Sequence, residues 1–162
     1  MPEISTRTTN FDAKSVAEIS ETLRHLLADV FALFVKTKSF HWHIGGRDFR
    51  GDHQLLDDQA TESFSTLDLL AERSRKIGGA AIRSIGDIAR NQRLQDNDAP
   101  DLSATDMMRE LLEDNRQLTA FLRCAHEVCD RHYDIATASL IENWIDQSEA
   151  RVWFLNETTR HR

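Results

Sequence analysis

Glycine and proline interrupt this 162-residue sequence at few points: Pro2, Gly45, Gly46, Gly51, Gly78, Gly79, Gly86 and Pro100. Between them lie long stretches with nothing to break a helix. Apolar residues recur there at intervals of three and four, the repeat of one helical face, and rarely at the interval of two that a strand needs. From Ser15 to Phe40 the positions Val16, Ile19, Leu23, Leu26, Leu27, Val30 and Phe34 trace a first helix, and Ser15 with Glu18 reads as its capping box. A second helix is expected from Phe49 to Ile77, stopped by Gly78-Gly79. A third begins near Ser103, with Asp106 three residues on, and carries Met108, Leu111, Leu112, Leu118, Leu122 and Ala125. The fourth follows the turn DRHYD with Ala138, Ile141, Ile145, Val152 and Leu155.

The segment between the second and third helices is long and polar, with room for one small helix from Ile85 to Gln92. The expected class is therefore all-α: a four-helix bundle with a short extra helix in the long connection, and one long crossover marks the ferritin-like arrangement. A single domain over residues 1–162 is expected, its first 12 residues a flexible tail. Cys124 and Cys129 lie about 140° apart around one helix, which argues against their pairing and fits a reducing cytoplasm. The first twenty residues lack the apolar run of a signal peptide and no stretch approaches a membrane span, so neither secretion nor insertion is expected. A net charge of -7 makes the chain a poor general phosphate binder. Only Arg7 and Lys14 at one end, and Arg160, His161 and Arg162 at the other, could serve nucleic acid.

Metal-ligand residue types recur at helical intervals between residues 36 and 79. His41 lies at the end of the first helix; His53 and Asp57 are four apart, as are Asp68 and Glu72. With His53 at zero, Asp57 falls near 40°, Asp68 near 60° and Glu72 near 100°, so all four share one face. Imidazole and carboxylate suit Fe(II), and carboxylate also suits Fe(III). The two pairs are centred about 15 residues, or roughly 22 Å, apart along the helix, so one ion cannot touch both on one chain. An antiparallel copy across a two-fold axis near residues 62 and 63 would set His53 and Asp57 of one chain beside Asp68 and Glu72 of the other. None of the seven His has a Glu three residues before it, so the Glu-x-x-His motif of single-chain di-iron bundles is missing. By spacing alone, carboxylates repeated along a long helix are usually a solvated face, with metal binding the alternative.

The segment resembles the signature of the Dps family, the mini-ferritins. The matching residues are Thr37, Lys38, Phe40, His41 and Trp42, then Phe49, His53 and Asp57, and finally Asp68, Ala71, Glu72, Arg73, Gly78 and Gly79. The likeness extends more loosely over the chain to RVWFLNE near its end. It implies His41, His53 and Asp57 as iron ligands from one subunit and Asp68 and Glu72 from its two-fold partner, with two irons per site. Trp42 would be an electron donor or an aromatic filler at the dimer contact, and Lys38 would tie the site electrostatically. Two departures stand out. His43 replaces the usual Asn or Asp, as a loop residue or an auxiliary ligand, and Gln54 replaces a common Glu, which lowers the occupancy expected of a second iron. His25 and His126 read as packing or surface residues.

The resemblance further implies a cytoplasmic, stress-linked iron-storage ferroxidase, possessing a dodecameric shell built from dimers. It would oxidise Fe(II) with hydrogen peroxide, or with dioxygen, and store the Fe(III) mineral inside, protecting DNA. Asp130 and Asp134 are candidate pore-lining residues, or else charges complementing a helix N-terminus. The alternative is a nucleoid-associated, DNA-compacting protein with little ferroxidase activity. Because the N-terminal fifteen residues set one Arg and one Lys against Glu3 and Asp12, weak or no DNA binding is expected at physiological salt. A related fold binding another metal without turnover is a third reading.

Overall fold

The computed structural model describes residues 9–160, so Arg7, His161, Arg162 and most of the expected N-terminal tail lie outside the described residues. Five helices follow in order: α1 (Ala13–His43), α2 (Phe49–Lys76), α3 (Ile85–Asn91), α4 (Ala104–Arg131) and α5 (Ile135–Thr159). No strand forms among the described residues. The architecture is the expected one, a four-helix bundle with a short helix in the second connection.

The cross-helix pairs fix the topology. His41 meets His53 and Phe34 meets Phe64, so α1 and α2 run antiparallel. Lys36 reaches Asp114 while Glu18 reaches His132, which sets α4 antiparallel to α1. Thr119 bonds Ser148 and His126 bonds Glu142, which turns α5 antiparallel to α4. Consequently α2 and α4 point the same way, and the chain between them must travel the full length of the bundle. That journey is residues 77–103. It is pinned at mid-course by Asp29, a fully buried carboxylate on α1 that accepts from the backbone N–H groups of Arg93 and Leu94 and from the Arg93 guanidinium.

The apolar stripes expected from the sequence form one core. Ile19, Leu23, Leu26, Leu27 and Val30 of α1 pack with Leu56, Leu67 and Leu70 of α2, Met108, Leu111, Leu118 and Leu122 of α4, and Ile141 and Leu155 of α5. Phe34, expected in the stripe, instead lies outside the buried set against the ring of Phe64.

Two details correct the sequence reading. The cap of α1 is Asp12, whose carboxylate accepts from the Ser15 N–H at 2.7 Å, so Ser15 lies inside the helix. The capping box needed Glu18 to fold back, but its carboxylate instead meets His132 at 2.6 Å. The helix also continues past Phe40 to His43, carrying His41 in its last turn. Phe11, just before the cap, packs against the core. Ser103 caps α4 as expected, accepting from the Asp106 N–H.

Candidate metal centre

Five residues, 44–48, join α1 to α2, and Gly46 takes a φ of +107° that favours glycine. This short return brings His41, in the last turn of α1, opposite His53, in the second turn of α2. The two rings stack, with centroids 3.8 Å apart. Each ring bonds the other's backbone: His41 Nδ1–H donates to the His53 carbonyl and His53 Nδ1–H donates to the His41 carbonyl, both at 2.8 Å. Since a carbonyl only accepts, both Nδ1 atoms carry hydrogen, and in the neutral rings both Nε2 atoms keep a lone pair for a cation. Such a bond on the remote nitrogen is the usual means of orienting a metal-binding imidazole.

Asp57, one turn beyond His53, completes this group. Its Oδ1 lies 3.9 Å from His41 Nε2 and accepts from Lys38 Nζ at 2.6 Å. That hydrogen bond, helped by the ammonium charge, holds the Asp57 carboxyl below the ordinary carboxylate range. The carboxylate is therefore ionised at neutral pH and oriented by Lys38. His41 is only 8% exposed, and His53 and Asp57 are half-buried.

Asp68 and Glu72 stand apart from that group, exposed on the same face of α2. Glu72 is met only loosely by Lys76, at 3.9 Å one turn on. Among the described residues, no three His, Cys, Asp or Glu side chains of one chain converge so as to hold a metal ion. The five expected ligands thus form a histidine-rich half and a carboxylate half.

The other expected residues fall as follows. Trp42 is 66% exposed beside His41. His43 is exposed and its Nδ1–H donates to the Ser39 carbonyl. Gln54 donates to Asp58. His25 meets the Asn91 carbonyl, and His126 lies between Asp130 and Glu142. Of the two candidate pore residues, Asp130 is exposed, whereas Asp134 is buried. The Asp134 carboxylate accepts from the Thr137 N–H and from Arg73, capping α5 within its own chain. The sequence reading overlooked Phe64. Placed by the same arithmetic, it falls near 20°, between the two halves.

The sequence profile of the ferritin-like domain matches residues 20–161. An uncharacterized low temperature-induced protein of a Nostoc species is 31% identical over 96% of this chain and 86% of its own. DNA protection during starvation protein 1 of Deinococcus radiodurans is 28% identical, over 89% of this chain and 70% of its own. The crystal structure of a Dps protein from Bacillus brevis aligns with a TM-score of 0.87 at 26% identity, covering 91% of this chain and 98% of that one. With its helix order and long crossover, the chain belongs to the ferritin-like family, within its Dps branch.

Proposed function

We propose that two copies of this chain pair antiparallel along α2 and share two ferroxidase sites, each built from His41, His53 and Asp57 of one copy and Asp68 and Glu72 of the other. The observation that carries this reading is the division of the ligands. One half has its imidazoles fixed by reciprocal backbone bonds, and the other half is exposed on the same helix face about 22 Å away. A two-fold axis brings each half against its complement.

Fe(II) is the substrate. The neutral imidazole nitrogens and three carboxylates hold two Fe(II) ions side by side, and the carboxylate charge favours the ferric product. Each iron gives one electron to a single hydrogen peroxide molecule. Its O–O bond breaks, two protons are taken up and two waters leave, so no hydroxyl radical is released. Dioxygen is the slower alternative oxidant. Lys38 keeps Asp57 ionised and aimed, and the paired carbonyls keep both rings facing the iron.

The dimers assemble into a cytoplasmic shell of twelve that stores the Fe(III) as mineral. At -7 per chain its charge is about -84, a field that gathers Fe(II) and repels DNA. DNA is then protected by removal of iron and peroxide, in keeping with the name of the Deinococcus relative. The test is anaerobic addition of Fe(II) to metal-free protein, a stoichiometric pulse of peroxide, and ferric absorbance as the readout. Fast oxidation in the parent that is lost in both His53→Ala and Glu72→Ala is expected. Equal slow rates in all three would reduce the carboxylate face to solvated surface, and a DNA-compacting shell would replace the ferroxidase.

A further inference from the structure

The two ligand pairs share one midpoint. His53 with Glu72, and Asp57 with Asp68, are each centred between residues 62 and 63. In an antiparallel copy related by that axis, Thr61 of one chain faces Phe64 of the other. Both residues lie on the ligand face of α2, near 80° and 20° with His53 at zero. The structure leaves both uncovered: Thr61 is exposed and Phe64 is 57% exposed. The Phe64 ring is nonetheless held, tilted against Phe34 of α1 with centroids 5.1 Å apart. Val35 and Trp42, one heptad apart on α1, are exposed as well. An exposed ring seated on a neighbouring ring, on the same helix face as the proposed ligands, offers a second chain an apolar contact at a fixed place.

We infer that Phe64 is the positioning residue of the shared metal site, the anchor that packs on Thr61 of a second copy and sets the register between the two ligand halves. The inference rests on the shared-site reading. Each metal lies about 11 Å along the helix from the axis, so any slip of the two α2 helices displaces one ligand half from the other by the same amount. Metal–ligand distances tolerate only about 0.2 Å, and carboxylates facing one another across the axis supply no steric stop. An apolar ring within two residues of the axis supplies that stop twice, once from each copy.

The test is calorimetric titration of the metal-free full chain with Co(II), a redox-inactive stand-in for Fe(II), together with sedimentation and far-ultraviolet circular dichroism. Phe64→Ala should keep all five ligands and its helicity, yet weaken Co(II) binding by about tenfold to a hundredfold, and Phe64→Leu should recover most of that loss. Thr61→Trp enlarges the opposing residue at a site exposed in the single chain, and should weaken Co(II) binding likewise. Parental affinity in Phe64→Ala or in Thr61→Trp would overturn the inference while leaving the shared site standing. A parent that is monomeric, or binds no Co(II), would overturn the shared site and this inference with it.

Discussion

At the scale of single residues, the proposed site is prepared by hydrogen bonds that leave both Nε2 atoms open and orient the Asp57 carboxylate. His41 and His53 spend Nδ1 on each other's carbonyls and Asp57 is aimed by Lys38. Elsewhere on the chain, burial decides reactivity. The surrounding apolar core pushes the Cys129 thiol up to about 12, with the nearby Asp134 and Asp130 charges adding to the effect, while Cys124 is exposed. In native protein at pH 8 a thiol reagent should therefore modify one cysteine per chain, and two after denaturation. Glu18 shows the pH dependence of a single contact. Its hydrogen bond with His132 lowers its pKa from the ordinary 4.5, so the stabilisation is complete above that value and is lost as pH falls through the lowered one. Thermal melts should show Glu18→Gln less stable than the parent near pH 6.5, with the gap closing as pH is taken below about 4.

The shared face of the proposed ligands was legible in the sequence, because helix geometry alone places 53, 57, 68 and 72 together on α2. The reciprocal carbonyl bonds were not, since they depend on the conformation of residues 44–48. Phe64 could have been read from the same wheel, but an apolar residue on a polar face carries no chemical signature.

At the scale of elements, helix ends carry most of the local information. Gly78, with φ +99°, closes α2 in a Schellman motif, its N–H bonding the Arg75 carbonyl while Gly79 N–H bonds that of Ser74. Gly79 is needed for a second reason. A Cβ there would lie 2.2 Å from the Ser20 Cβ, so α2 could not end so close to α1. Gly79→Ala should cost about 1–3 kcal/mol in chemical denaturation. The α4–α5 turn repeats the motif with Tyr133 at φ +55°, a left-handed position occupied by an exposed ring. Tyr133→Gly should stabilise the folded chain by about 1 kcal/mol in the same experiment. The double glycine at 78–79 was readable as a stop. The start of α1 was misread because Ser15 and Asp12 are both good caps, and only the engagement of Glu18 by a residue 114 positions away removes the capping box.

At the scale of the whole molecule, the antiparallel pairings force α2 and α4 to run in the same direction, and the 77–103 connection follows from that. Its length was visible as a polar stretch with one short helix. Its anchorage by Asp29 was not, because an aspartate in an apolar stripe gives no sign of a partner 64 residues away. The same topology leaves the ligand face of α2 outside the bundle, where a second chain can reach it. The most direct test is co-assembly of His53→Ala with Glu72→Ala in equal amounts, followed by Fe(II) oxidation with peroxide. Each variant alone should be inactive, and random mixing across a two-fold axis should restore about a quarter of the parental sites, since one site in each mixed dimer then has both halves intact. Mixed assemblies that stay as inactive as either variant would show that the ligands do not meet across two chains.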